Sequence, residues 1–177
     1  MINATTSTLL IIDFQARLMP AIDDGFHAVQ NARRLLEAAQ LLNVPSLYTE
    51  QNPKGLGGTV PEIDTSKCGA RIEKMSFDST KAPGFFEGIE KTRPHLIVAG
   101  CEAHVCVLQT VLGALEAGHK VSVVQDAIGA RREESKRAAL ARMAKHGADI
   151  VTTEMVIFEW LGDATHPKFR DCVALIK

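Results

Sequence analysis

HLIVAGCEAHVCVLQT, residues His95–Thr110, is the stretch that decides the fold. Its apolar run Leu96–Ala99 predicts a buried strand, and Gly100 follows where the chain must turn. The residues after the turn have helical character, which places Cys106 in the first turn of a helix just past a strand end. The unpaired N–H groups at a helix N-terminus stabilise an anion such as a thiolate, which makes Cys106 a candidate nucleophile. The alternative is a small buried hydrophobic residue, because free cysteines are often buried.

Strand and helix patterns alternate on both sides of this stretch. Extended segments are predicted at Thr8–Ile12, Val44–Glu50, Arg71–Phe77, Lys120–Asp126 and Asp149–Thr152. Helices are predicted at Ala28–Leu42, Cys106–Leu115, Glu133–His146, Thr153–Leu161 and Lys168–Ile176. Unbroken apolar strands that alternate with helices are typical of parallel sheets covered on both faces. We therefore expect one domain over residues 1–177, a three-layer α/β/α, Rossmann-like fold with a doubly wound, mainly parallel sheet.

The composition is that of an ordinary globular chain. Its 177 residues are 46% hydrophobic and 23% charged, which suits one domain with its own core. The net charge of −1 comes from interspersed charges without a basic stripe, so we expect no nucleic-acid partner. No apolar run approaches the roughly 20 residues that a bilayer requires, so we expect no membrane partner.

The N-terminus lacks the pattern of a secretory signal. No basic residue precedes the apolar run Leu9–Ile12, and Asp13 interrupts that run. We therefore expect a cytoplasmic protein whose cysteines are reduced thiols. The cysteines are Cys68, Cys101, Cys106 and Cys172. Their spacing matches no zinc motif, so we expect no structural zinc.

Two charged residues stand where parallel strands often carry function. Asp13 ends the first strand, and ligands of open α/β sheets bind outside the carboxyl ends of the strands. Its alternative role is to cap a helix or close a turn. Lys74 lies in the third extended segment, where the alternative is a solvated surface charge. Between them, the Pro- and Gly-rich segment Gln51–Lys67 predicts a long loop that either covers a substrate or is disordered.

Asp13, Lys74 and Cys106 are all expected near one edge of the sheet. A thiol nucleophile needs a base to remove its proton or a positive field to hold it as thiolate, and a carboxylate and an ammonium group supply these two functions. The sequence therefore indicates a Cys-based nucleophilic site, provided that the three side chains meet.

The same segments resemble a known family. LLIIDFQ (Leu9–Gln15), EKMSF (Glu73–Phe77) and GCEAHVCVLQT (Gly100–Thr110) resemble, in order, segments of the isochorismatase-like cysteine hydrolase superfamily, which includes nicotinamidases and N-carbamoyl amidohydrolases. The resemblance extends over residues 8–152. TEQNPKGLG (Thr49–Gly57) and EMVIFE (Glu154–Glu159) are similar to isochorismatase-domain proteins of unassigned substrate.

The resemblance implies an Asp-Lys-Cys triad formed by Asp13, Lys74 and Cys106. In that scheme Asp13 takes the thiol proton and later gives it to the leaving nitrogen, and Lys74 holds Asp13 and the thiolate in place. Cys106 attacks a carbonyl to give an acyl-enzyme, which water then hydrolyses. The resemblance also implies a cis peptide bond from Cys101 to Glu102, with the backbone N–H groups of Glu102 and Cys106 forming the oxyanion hole.

Two differences from relatives limit what the resemblance implies. Nicotinamidases bind a metal through an Asp-x-His pair and a further His in the loop after the second strand, but Thr49–Val60 contains no His. We therefore expect no catalytic metal and no cofactor. Enzymes of the superfamily that hydrolyse isochorismate lack the nucleophilic Cys, so the presence of Cys106 favours cleavage of a C–N bond.

Three further residues are candidates for substrate binding. Gln51 stands at a strand end, where it either hydrogen-bonds a substrate amide or is a solvated loop residue. Phe77 either walls the pocket or belongs to the core, and His104 precedes the nucleophile by two positions. Asp126 is expected to close the next strand as a loop or cap residue.

The sequence thus favours a metal-independent amidohydrolase that acts on a small amide or ureido substrate. The alternative is a non-catalytic ligand-binding or scaffold protein on the same fold. A thiol redox protein that uses Cys101 and Cys106 is disfavoured, because their spacing is not a redox motif. A homo-oligomer is expected from the relatives, and Phe158 and Trp160 belong either to a subunit contact or to the chain's own core.

Overall fold

The computed structural model describes all 177 residues, which form a single six-stranded sheet flanked by helices. The strands are β1 (Ser7–Ile12), β2 (Ser46–Gln51), β3 (Ala70–Lys74), β4 (His95–Cys101), β5 (Lys120–Gly129) and β6 (Asp149–Val151). The helices are α1 (Gly25–Leu41), α2 (Pro53–Leu56), α3 (Leu108–Glu116), α4 (Glu133–Lys145), α5 (Thr153–Leu161) and α6 (Phe169–Ile176). None of these helices combines the length and the apolar character needed to cross a bilayer.

The strands lie in the order β3-β2-β1-β4-β5-β6, and every neighbouring pair is parallel. This confirms the predicted three-layer, doubly wound fold, with a sheet that is parallel throughout. The chain first builds the sheet from β1 towards β3 and then restarts on the other side of β1 with β4. Ligands of such sheets bind in the crevice at this reversal, beyond the carboxyl ends of the two central strands.

Alternating side chains of β1 fill two separate cores. Leu9 and Ile11 belong to the core on the face covered by α1, α5 and α6. Leu10 and Ile12 belong to the core on the opposite face, which α3 and α4 cover. Because successive side chains of a strand point to opposite faces, an unbroken apolar run is what a strand covered on both sides requires.

Trp160 is part of the chain's own core. It is 4% exposed, and its indole N–H donates to the Ser7 hydroxyl at 3.1 Å. Phe158, on the same helix, is 41% exposed. The chain therefore buries Trp160 by itself and leaves Phe158 at the surface.

Gly100 allows β1 and β4 to approach closely at their carboxyl ends. A Cβ atom at this position would lie 2.5 Å from the Cβ of Ile12 and 2.6 Å from its carbonyl oxygen. Both distances are far inside van der Waals contact, so no larger residue fits without moving a strand. This glycine thus sets the geometry of the crevice.

Two strands end three residues away from the position that the sequence predicts. The strand expected to close at Asp126 continues to Gly129. Its register with β4 shifts between Val98 and Gly100, so the polar residues of β5 lie in the irregular part of the pairing and the strand resumes after them. Asp126 instead accepts hydrogen bonds from the Thr153 N–H at 2.8 Å and the Thr153 hydroxyl at 3.0 Å, at the start of α5. The third strand ends at Lys74, three residues before the predicted Phe77.

The Gly-rich segment 51–67 also has more regular structure than predicted. It contains the short helix α2 and a 3₁₀ turn at Thr65–Lys67. Gln15 holds its first part, because the side-chain amide donates to the carbonyl oxygens of Gln51 at 3.0 Å and Gly57 at 2.7 Å. This part of the segment is therefore packed onto the end of β1.

Candidate active site

Asp13 follows β1 directly and is 1% exposed. Its φ of 50° is a left-handed conformation that Asp and Asn adopt more readily than most residues. One carboxylate oxygen accepts the Thr49 hydroxyl at 2.6 Å, and the backbone N–H of Asp13 donates to the Thr49 carbonyl at 3.2 Å. The end of β2 thus fixes the carboxylate in the crevice.

Lys74 reaches Asp13 from two strands away. The Nζ atom donates to the second carboxylate oxygen of Asp13 at 2.6 Å, and the lysine side chain is fully buried. It also donates to the carbonyl oxygens of Ser76 at 3.3 Å and Phe77 at 3.4 Å. The structure therefore excludes the solvated alternative for Lys74, since this ammonium group is desolvated and bound to oxygen on all three donors.

Cys106 lies in a π-helical turn, Ala103–Val107, between β4 and α3. Cys106 is 7% exposed, so it is buried but retains a small solvent-accessible surface. Burial is the main reason that the pKa of Cys106 is raised to about 12, and the negative charge of Asp13 raises it further, while Lys74 opposes both. Asp13 and Lys74 therefore act directly on this sulfur, and the three predicted residues come together.

The protonation state of Cys106 differs from the sequence expectation. From position alone, Cys106 is a candidate for a thiolate stabilised by a helix N-terminus, with a small buried hydrophobic residue as the alternative. With a pKa of about 12, the resting thiol keeps its proton at neutral pH. Desolvation outweighs the helix end because burying an anion costs more than the partial charge of one helical turn returns.

The turn before Cys106 begins with a cis peptide bond between Cys101 and Glu102, as the resemblance implies. The Glu102 carbonyl accepts the N–H of Val107 at 3.2 Å, which closes the π-turn around Cys106. Glu102 and Cys106, the two residues expected to supply the oxyanion hole, therefore belong to one hydrogen-bonded turn.

The three candidates for substrate binding lie on different segments around the triad. Gln51 ends β2 beside Lys74, and its side-chain amide donates to the Met75 carbonyl at 3.2 Å. Phe77 is 50% exposed, so its ring is not part of the core. His104 shares the π-turn with Cys106, and its buried Nδ1 atom has no hydrogen-bond partner.

A cavity of about 420 Å³ adjoins His104. Its other lining residues are Arg131, Arg132 and Ser135, so the lining is entirely polar. The triad side chains do not line it. The cavity is therefore lined by one residue of the π-turn, His104, and by residues that follow β5.

The sequence patterns did not predict several residues that support the site. Thr49 holds the carboxylate, Gln15 holds the neighbouring loop, and Arg131 binds the Glu102 carboxylate. Thr49 and Gln15 carry a usable signal, because each lies within three residues of a strand end at the crevice. No cluster of three or more His, Cys, Asp or Glu side chains has the geometry to hold a metal ion.

A family model described as "Isochorismatase domain" matches residues 7–155. The chain belongs to the isochorismatase family. Among its relatives, human isochorismatase domain-containing protein 2 is 39% identical over 176 residues, which covers 97% of this chain and 83% of the relative. Membership of this family supports a hydrolase, and the relative's name assigns no substrate.

Solved structures of relatives have the same fold. The MAR1 ribonuclease from Caenorhabditis elegans is 36% identical, with a TM-score of 0.92 over 99% of this chain and 91% of that one. YcaC from Pseudomonas aeruginosa, described with hexane-2,5-diol and covalent acrylamide, is 26% identical, with a TM-score of 0.90 over 98% and 90% of the two chains. YcaC from Escherichia coli, described as an octameric hydrolase of unknown specificity, is 26% identical, with a TM-score of 0.87 over 99% and 86%.

Proposed function

We propose that this chain is a metal-independent cysteine hydrolase that cleaves a C–N bond of a small amide or ureido substrate through a thioester acyl-enzyme. The observation that carries the proposal is the buried pair of Lys74 and Asp13, 2.6 Å apart, whose charges act on the Cys106 thiol. A buried ion pair is costly to maintain, and a perturbed thiol beside it at the crevice of the sheet is typical of a catalytic centre.

In the proposed acylation step, Asp13 acts first as a base and then as an acid. Asp13 accepts the thiol proton as the Cys106 sulfur bonds to the substrate carbonyl carbon, and the C=O electron pair moves onto oxygen. The resulting oxyanion accepts hydrogen bonds from the backbone N–H groups of Glu102 and Cys106. When the C–N bond breaks, the leaving nitrogen takes the proton from Asp13.

The proposed deacylation step returns the enzyme to its starting state. Asp13 removes a proton from a water molecule that attacks the thioester, and the acid leaves as the sulfur recovers a proton. Lys74 keeps its charge throughout and holds Asp13 in position. Because burial raises the pKa of the resting thiol, Asp13 is the proposed acceptor of its proton in the acylation step.

The relatives support the chemistry and leave the substrate open. The P. aeruginosa YcaC is described with covalent acrylamide, an electrophile to which nucleophiles add at the C=C bond, so it supports a reactive nucleophile on this fold rather than amide cleavage itself. The name of the C. elegans relative raises RNA as another substrate. The net charge of −1 does not favour phosphate contacts in this chain, so RNA enters the test as an alternative outcome.

Gln51, Phe77 and His104 are the proposed substrate contacts. The chain is also proposed to form a homo-oligomer, because Met75 and Phe77, next to Lys74, are 71% and 50% exposed and the E. coli relative is described as octameric. A cytoplasmic location stays a prediction of the sequence. A scaffold protein on the same fold is the alternative function.

The test is to incubate the protein with a panel of small amides and ureides and to record intact masses. An acyl adduct on the wild type that is absent from Cys106→Ala identifies the substrate class. Release of the acid and amine products is followed in parallel. In a separate experiment, the protein is incubated with single-stranded RNA and cleavage is recorded. A panel that gives neither adduct nor product, or RNA cleavage that Cys106→Ala retains, contradicts the proposal.

A further inference from the structure

Glu102 is held at both of its ends. Its carbonyl oxygen accepts the N–H groups of Val105 at 3.0 Å and Val107 at 3.2 Å. Its side chain is only 9% exposed, although a carboxylate is expensive to bury without a partner. The position of this residue is therefore fixed by more than the strand it follows.

The partner of the buried carboxylate is Arg131. The backbone N–H of Arg131 donates to Oε2 of Glu102 at 3.0 Å, and the guanidinium Nε donates to Oε2 at 3.0 Å and to Oε1 at 3.2 Å. Arg131 comes two residues after the end of β5. The Glu102 carboxylate thus bridges from the end of β4 to the connection between β5 and α4.

We propose that Arg131 is a positioning residue for the oxyanion hole and acts through the Glu102 carboxylate. The inference rests on the proposed function. The two backbone N–H groups assigned to the oxyanion belong to Glu102 and to Cys106, and the π-turn that joins them is closed on the Glu102 carbonyl. Arg131 therefore fixes the residue from which both donors are aligned, and donors work only when they are aligned before the charge develops.

Two other roles for Arg131 make different predictions. If Arg131 binds substrate directly, its loss weakens every small amide ligand to a similar extent. If Arg131 only stabilises the fold, its loss lowers the rate of every reaction of the Cys106 thiol. A positioning role affects reactions that build charge on a carbonyl oxygen and spares reactions that do not.

Two reagents separate these cases without a known substrate. With p-nitrophenyl acetate, the Cys106 sulfur bonds to the carbonyl carbon, the C=O pair moves onto oxygen, and the thiol proton passes to Asp13; the pair then re-forms the C=O bond as p-nitrophenolate leaves with the C–O bonding pair. With iodoacetamide, the thiol first loses its proton to the solvent, the sulfur bonds to the methylene carbon, and iodide leaves with the C–I pair. Only the first reaction forms an oxyanion.

The expected result is a change in the ratio of the two rates. Arg131→Ala should slow acetylation of Cys106 about tenfold, because misplaced donors stabilise the oxyanion less well. Alkylation by iodoacetamide should stay within about twofold of wild type. Arg131→Lys should recover part of the acetylation rate, since it restores the charge but not the planar donor geometry.

Arg132→Ala is the matched control. Arg132 is the next residue, lines the same cavity, and is 77% exposed with only a loose ion pair to Glu134 at 3.9 Å. Arg132→Ala should leave both rates unchanged.

Glu102→Gln tests the same contact from its other side. It keeps the side-chain volume but removes the charge that Arg131 binds, and it should lower the acetylation rate in the same way as Arg131→Ala.

Several outcomes overturn the positioning role. They are equal losses of both rates in Arg131→Ala, or no change in either rate. A wild-type Cys106 that reacts with neither reagent, or that iodoacetamide alkylates but p-nitrophenyl acetate does not acetylate, overturns the proposed function itself. Arg131→Ala leaves the Glu102 carboxylate with only the backbone N–H of residue 131, so circular dichroism has to show that the fold is intact, and Arg131→Lys provides a variant that keeps the charge.

Discussion

At the residue scale, the Cys106 thiol is held in its protonated form beside its own base. Burial and the charge of Asp13 raise its pKa to about 12, well above the usual value for a free cysteine. Since only the thiolate is alkylated, we expect the rate of reaction with iodoacetamide to rise about tenfold per pH unit and to show no plateau up to pH about 10. The alkylation rate is measured by intact-mass kinetics, with glutathione as the free-thiol reference. A plateau in the rate below neutral pH would show that the resting site holds a thiolate.

The Lys74–Asp13 pair is the second feature at this scale. Lys74→Met leaves the Asp13 carboxylate buried without its counter-charge, which should lower the free energy of unfolding by about 3–5 kcal/mol. Lys81→Met is the control, because the Lys81 side chain is 75% exposed and lies 3.9 Å from Asp78, so its loss should cost less than about 1 kcal/mol. Urea denaturation compares them, and equal losses would mean that burial adds nothing to the Lys74 pair.

At the scale of elements, the contact between β1 and β4 decides whether the crevice forms. Gly100→Ala places a methyl group 2.5 Å from the Ile12 Cβ, and we expect a loss on the order of 3 kcal/mol together with slower Cys106 alkylation. Gly118→Ala has open space and only a left-handed φ of 88° to strain it, so about 1 kcal/mol is expected. A Gly100→Ala protein with wild-type stability and reactivity would show that the strands separate freely.

The elements of this fold could be predicted because each apolar strand and covering helix has a local pattern. The run Thr8–Ile12 shows burial on both faces directly, and the helices follow from their periodicity. Asp13 and Cys106 could be placed at the same sheet edge, since parallel strands end together. The register shift that carries β5 past Asp126 could not, because it depends on how β4 and β5 pair rather than on either strand alone.

The electrostatics of the site could not be predicted either. The residues alone do not predict the contact between Lys74 and Asp13, because the two are 61 positions apart and only the sheet order brings them together; the family resemblance implied it. The pKa of Cys106 depends on how completely its neighbours bury it. Glu102 and Arg131 look like ordinary surface charges in sequence, and only the register of β4 and β5 makes them partners.

At the scale of the whole molecule, the exposed apolar side chain nearest the site predicts an assembly. Met75 follows Lys74 and is 71% exposed, which is unusual for a large apolar residue beside a buried ion pair. We expect sedimentation to give a mass that is a multiple of the 19.2 kDa chain. Met75→Glu should shift the protein towards the monomer, because it places a charge in the contact.

Met155→Glu is the comparison for this prediction. Met155 lies on α5 and is 45% exposed, so the same substitution there changes the charge and the apolar surface similarly while leaving the segment next to Lys74 intact. It should keep the wild-type mass. If the contact covers the segment after Lys74, the Met75→Glu monomer should also expose Cys106, and iodoacetamide should alkylate it faster than in the assembly. A wild-type protein that sediments at 19.2 kDa would instead mean that the chain closes its site unaided.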